Sequence, residues 1–227
     1  KKYVPLLAFS VLDDTAHKVE LLRLGANDYV TKPLIQEELL ARVSNLITSK
    51  KLLDKAITQQ NVIQELAMKD LLTGLYNRYF LLETAPSRLR EATRHNIPYS
   101  LILVNIDKFK LINENYGNST GDMVLKAIAS VLIKPIRKED IAARYDGEEF
   151  VLLLSHCNIS NATLIAEKMR QSIENLRPSD LNVTASFGIA EIQPDSTEGF
   201  SELIKATKYA VNQAKSNGGN KVIAHSL

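Results

Sequence analysis

The order of apolar runs and amphipathic stretches in this 227-residue chain predicts an α/β protein, a sheet with helices packed on it. Three observations carry that expectation. Ser100 to Ile106 reads as a continuous apolar strand. Helix-period stretches run through Val124, Ile128 and Val131 until Pro135, and again through Ile165, Met169 and Ile173. A period-two run, Val183, Ala185, Phe187 and Ile189, reads as a further strand before a helix through Leu203, Ala210 and Ala214.

Taken in order, Pro5 to Ser10 reads as a buried strand and Thr15 to Leu24 as an amphipathic helix stopped by Gly25. Asp28 to Pro33 reads as a strand ending in a Lys-Pro turn. Gln36 to Met68 contains neither Gly nor Pro and is rich in Leu, Ile, Lys and Gln, which suits one long helix. Leu39, Val43, Leu46, Leu53 and Ile57 keep part of a 4-3 spacing, while Lys50, Gln60 and Gln64 interrupt it. A coiled coil between protomers and a plain connector both fit. Asp122 is placed as the N-cap of the helix that follows it. Ile141 to Ala143 and Phe150 to Leu154 form two strands joined through Asp146-Gly147, expected at the two centres of a type I′ turn. Such a turn pushes Glu148 and Glu149 outward, where a cation or a phosphate can meet them. A second acidic strand end, Asn105-Ile106-Asp107, has Lys108 and Lys110 close behind.

Composition narrows the function. The length allows one full domain plus a smaller piece. With 28 Lys and Arg against 26 Asp and Glu, the net charge of +2 offers no strong field for nucleic acid or a membrane surface. The single Cys157 excludes an internal disulfide and a thiolate zinc cluster, and reads as an inert thiol at a strand end. His17, His95, His156 and His225 are scattered and read as structural or surface residues. Apolar runs such as Leu101 to Val104 are far too short to span a bilayer, so a cytoplasmic protein is expected.

Five blocks in order, DLLTGLYNR (70–78), NIDKFKLINENYGNSTGD (105–122), RYDGEEF (144–150), SFGIA (186–190) and AKSNGGNKV (214–222), resemble the GGDEF family of diguanylate cyclases, which join two GTP into cyclic di-GMP. The resemblance implies a palm-like α/β domain over residues 69–227, magnesium or manganese as cofactor, GTP and cyclic di-GMP as ligands, and a homodimer. It maps Asn113 and Asp122 to the guanine edge, and Phe109, Lys110 and Lys215 to the phosphates. Asp146 and Gly147 line the substrate site. Glu148 serves as metal ligand and base with Glu149 beside it, and Asn105 and the Ile106 backbone complete the metal site. Arg137 and Asp140 stand at the RxxD spacing of the family's inhibitory cyclic di-GMP site.

Residues 1–46 resemble the second half of a response-regulator receiver, with Ser10 and Lys32 around a phosphoryl group and a histidine kinase as the implied partner. The phosphoacceptor is expected in a preceding segment of a longer protein. Residues 47–68 then form the linker helix, for which the family's need for two protomers favours a coiled coil. Several positions depart from the family pattern. Asn105 replaces an Asp, Asp146 a Gly, Gly219 an Arg, Asn212 a Tyr and Asn118 a His. Losing a charge that stabilises a transition state costs roughly 3 kcal/mol, so impaired turnover is expected. The alternatives are an inactive cyclic di-GMP receptor and a non-catalytic dimerisation or interaction domain.

Overall fold

The structure is a computed structural model that describes residues 3–11, 15–192 and 199–225. The chain divides into two units, residues 1–65 and 66–227. In the first, strands β1 (Leu7–Ser10) and β2 (Asp28–Thr31) pair in parallel, with helix α1 (Thr15–Arg23) as the crossover between them. Asn27 Oδ1 accepts from Leu6 N at 2.9 Å and fixes the return of the chain beside β1. Helix α2 spans Gln36–Met68, the range its lack of breakers predicts. Near its start, Arg42 forks onto Asp28 at 2.9 Å and Glu38 at 2.8 Å, tying the helix to β2.

The second unit holds a five-stranded sheet of order β4-β5-β3-β6-β7, formed by β3 (Tyr99–Ile106), β4 (Ile141–Asp146), β5 (Glu149–Ser155), β6 (Ala185–Ile192) and β7 (Val222–His225). All neighbours are antiparallel except β6 and β7. All eight residues of β3 are buried, as the apolar run predicts. Its side chains alternate between two cores. Leu101 and Leu103 pack with α3 (Arg78–Arg94) and α7 (Phe200–Ser216), while Ile102, Val104 and Ile106 pack with α5 (Asn118–Ile133) and α6 (Ile159–Glu174). Buried Ser100 is satisfied by donating to the Cys157 carbonyl at 2.8 Å. Cys157 is buried as well, and its thiol pKa is raised by that burial and by the nearby Asp140 charge. No helix among the described residues is long and apolar enough to cross a membrane.

Three local expectations are corrected. Asp122 is no N-cap: α4 (Phe109–Tyr116) and α5 meet at Gly117, whose positive φ of 83° makes the corner, and Asp122 lies inside α5. The hairpin loop is Gly147-Glu148, because Asp146 is still paired with Glu149 after a register shift that follows Arg144. Of the loop residues and Asp146, only Gly147 has positive φ, the pattern of a type II′ turn. Val183 precedes β6, although it is buried in the core.

Helix α7 lies so close on β6 that a Cβ at Gly188 would collide with the Thr207 carbonyl and stand 2.8 Å from Val211 N. Gly188→Ala is therefore expected to lower stability by about 1–3 kcal/mol in urea unfolding. An unchanged midpoint would mean that α7 is free to lift off the sheet.

Candidate functional site

The carboxyl end of β3 and the β4–β5 hairpin meet across the sheet. Asn105 is the direct cross-strand partner of Glu149, and its Nδ2 donates to Glu149 Oε1 at 3.2 Å. Asn105 is 5 % exposed, and its Oδ1 is buried with no donor. The second Glu149 oxygen faces Lys208 Nζ at 3.5 Å. Ile106 N donates to the Glu148 carbonyl at 3.3 Å, which holds the hairpin tip against the strand end. The Glu148 side chain is half-buried and makes no hydrogen bond or ion pair with a described residue, and Asp146 is exposed beside it.

A second polar group forms at the α4–α5 corner. Asn113 Oδ1 is also buried without a donor. Its side chain lies against Gly121, where any Cβ would overlap it and would come within 3.2 Å of the Phe109 ring. Asp122 follows Gly121 and is exposed. The Phe109 ring belongs to the core. Lys110 is 89 % exposed and pairs with Glu114 at 3.7 Å, while Lys215 is exposed on α7.

Two supports were not legible in the residues alone. Arg144 donates from Nε to the Gly147 carbonyl at 2.8 Å and from a terminal nitrogen to Asp70 at 3.3 Å. Asp70 in turn accepts from Thr73 N at 2.9 Å and Thr73 Oγ1 at 2.7 Å. Thus the turn that opens the second unit holds the hairpin loop. Asp107, just past β3, accepts from Thr184 Oγ1 at 2.8 Å, Ser186 Oγ at 2.7 Å and Asn220 N at 2.9 Å. It pins the loop after α7 so closely that a Cβ at Gly219 would stand 3.1 Å from the carboxylate. Both Asp70 and Arg144 lie in recognisable blocks, but nothing in a linear pattern pairs residues 74 apart.

Arg137 and Asp140 lie beyond the other end of β5, roughly 20 Å along the strand from the hairpin tip. Asp140 accepts from Arg137 N at 2.7 Å and from Ser155 N at 2.9 Å, so its carboxylate closes the turn. The exposed Arg137 lines a concavity of about 360 Å³ with Ser155, His156, Asn161 and Lys168. Lys168, absent from the RxxD spacing, is the second cation there. In the first unit Ser10 is buried at the end of β1, and its carbonyl accepts from Lys32 N at 2.9 Å.

Comparison with known proteins agrees with this architecture. Residues 67–221 match the model of the diguanylate cyclase GGDEF domain. The response regulator PleD of Caulobacter vibrioides is 34% identical over 230 residues, covering 98% of this chain and 50% of PleD. Diguanylate cyclase DgcM of Escherichia coli K12 is 38% identical over 174 residues, 74% of this chain and 42% of DgcM. The chain thus spans about half the length of the curated relatives it matches. Among solved structures, the coiled coil and GGDEF domain of DgcB from Caulobacter crescentus, in complex with c-di-GMP, superposes with a TM-score of 0.72 at 27% identity, covering 82% of this chain and 98% of that one. Diguanylate cyclase SiaD from Pseudomonas aeruginosa, in complex with its activator SiaC, gives 0.68 at 30% identity, covering 83% and 74%.

The Asp70–Arg144 pair has a pH signature. Burial opposes ionisation of Asp70, but the Thr73 hydroxyl and amide and the Arg144 guanidinium outweigh it and lower its pKa below the ordinary 3.8. A depressed carboxyl stabilises the fold above its unfolded pKa, and that stabilisation is lost as pH falls through the folded value. Asp70→Asn should therefore cost stability at neutral pH and flatten the acid limb below about pH 4. Thermal unfolding across that range checks it, and an acid limb as steep as the parent's would assign the acid sensitivity to other groups.

Proposed function

This chain belongs to the diguanylate cyclase GGDEF-domain family, and on that premise we propose that it is the output part of a response regulator that binds GTP and cyclic di-GMP and turns over slowly. The observation that carries the reading is Asn105. At the end of the central strand it spends its amide on Glu149 and leaves one buried oxygen without a partner. Phosphoryl transfer relies on positioning and on neutralising charge, with magnesium or manganese as the usual cation. Glu148, the Ile106 carbonyl and Asn105 Oδ1 are the oxygens in this region that would hold it. That set holds one carboxylate, Glu148, where a hard cation favours more than one. The set does not fit a tightly bound cation, hence the slow turnover.

Guanine recognition is better supported. A guanine edge presents N–H donors, and the unpaired Asn113 Oδ1 is an acceptor in want of one. Asp122, one residue beyond the Gly121 that Asn113 touches, supplies the second acceptor. Lys110 and Lys215 provide mobile charge for the phosphates. Glu148 is the base for the ribose hydroxyl, and Glu149, engaged by Asn105 and Lys208, has a supporting role.

The exposed Arg137, with Lys168 across the same concavity, favours a second reading, a cyclic di-GMP receptor. Arg forks onto guanine edges and phosphates. The match to PleD across 98% of this chain supports a partial receiver in residues 1–46, with Ser10 and Lys32 at the carboxyl ends of adjacent strands and a histidine kinase upstream. Leu53 and Ile57, exposed on α2, favour a homodimer through the linker helix.

Incubating the full chain with GTP and magnesium or manganese and separating the nucleotides tests the enzyme reading; rapid accumulation of cyclic di-GMP would overturn the slow turnover. In calorimetric titrations Asn113→Ala should weaken GTP by about tenfold to a hundredfold while ATP hardly changes. Equal losses for both nucleotides would remove Asn113 from the guanine edge. Arg137→Ala should abolish cyclic di-GMP binding and leave GTP binding intact; a mutant that binds cyclic di-GMP like the parent ends the receptor reading.

A further inference from the structure

The acidic hairpin carries its own cation. Lys208 on α7 sits 3.5 Å from Glu149 Oε2 and 5.2 Å from the centroid of the Tyr145 ring, so a carboxylate and an aromatic face hold its ammonium together. Arg78 lies over the same ring at 4.8 Å, which steadies the ring that Lys208 leans on. The other Glu149 oxygen is taken by Asn105 Nδ2 at 3.2 Å. Both oxygens of this carboxylate are therefore engaged by donors of the chain itself. A divalent cation bound at Glu149 would have to displace the Lys208 ammonium, and one held at Glu148 would gain only a neutral amide oxygen at position 105. Magnesium gives up its water reluctantly and does so chiefly for carboxylates.

We propose that Lys208 is the internal counterion of the hairpin, with the Asn105 amide as a neutral donor to the same carboxylate, and that the site consequently takes a guanine nucleotide with little dependence on a divalent cation. The proposal rests on the nucleotide reading above and extends it. In this arrangement the positive charge is supplied by a side chain already in place, and the hairpin keeps its position against β3 without a bound ion. Removing the ammonium uncovers Glu149. Glu149 then joins Glu148 without a cationic partner, and both the order of the hairpin and its tolerance of nearby phosphates come to depend on added cation.

The test uses the full chain in two measurements. In calorimetric titrations with GTP, the parent should bind with dissociation constants that agree within about threefold in excess magnesium and in excess EDTA. Lys208→Gln should bind at least about tenfold more weakly in EDTA than in magnesium, and Lys208→Arg, which keeps the charge, should behave like the parent. The second measurement titrates nucleotide-free protein with manganese and follows the free ion by electron paramagnetic resonance. The parent should leave manganese free, Lys208→Gln should capture it, and the double variant Asn105→Asp, Lys208→Gln should capture it most tightly. Loss of parental GTP binding in EDTA, or manganese binding by the parent as tight as by Lys208→Gln, overturns the proposal. If neither parent nor variants bind GTP in either buffer, the nucleotide reading fails instead, and the manganese titration still decides the role of Lys208.

Discussion

Burial of β3 on both faces is the constraint from which the rest of the second unit follows. A strand with all eight residues buried needs a helix layer on each side and a partner on each edge. Two antiparallel neighbours, β5 and β6, supply the edges, and the two cores beneath α3 with α7 and α5 with α6 supply the faces. The same constraint decides the polar chemistry. Ser100 and Asn105, polar residues of this strand, reach partners on the β5 side, Ser100 at the Cys157 carbonyl just past β5 and the Asn105 amide at Glu149 where β5 begins. Asn105 does so at the end of the strand where the hairpin arrives.

The strands of the hairpin are packed in both cores, while its tip is held by polar contacts. Its loop carbonyl at Gly147 is fixed by Arg144, and Arg144 by Asp70, so a turn at the beginning of the unit governs residues far along the chain. Glu149 is held by Asn105 and Lys208. Asp107 performs the matching task on the other side, gathering Thr184, Ser186 and the backbone at Asn220. Arg170 extends that network, donating to Asn220 at 2.9 Å while paired with Glu167 at 2.7 Å and Glu174 at 2.8 Å. Because several carboxylates are spent on internal donors, local order at the hairpin is achieved with few charges left over.

The two ends of β5 have separate tasks. At one end lies the hairpin with its carboxylates, at the other the Arg137 turn closed by Asp140. The strand between them is paired on both edges and separates the two ends by its length. Asp140 stabilises the turn that presents Arg137, so within the RxxD spacing the two named residues divide the work. One shapes the loop and the other faces the concavity.

Several features were determined by local pattern alone. The apolar run at 100–106, the helix periods through Ile128 and Met169, and the unbroken stretch from Gln36 to Met68 each predicted an element that the structure contains, because burial and backbone geometry impose those periods wherever the element packs. The five sequence blocks likewise marked the family whose model matches residues 67–221. Their contacts belonged to the tertiary structure. The positive φ confined to Gly147, the corner at Gly117 that draws Asp122 into a helix, and the core position of the Phe109 ring depend on register and packing against distant residues. The charge balance of the site was decided there as well. Lys208 looks like an ordinary lysine on an exposed helix face until the sheet brings Glu149 opposite it, and Asp70 meets Arg144 only after the intervening strands have formed. Pairing at such separations has no local signature, since it is the burial of β3 that brings the partners together.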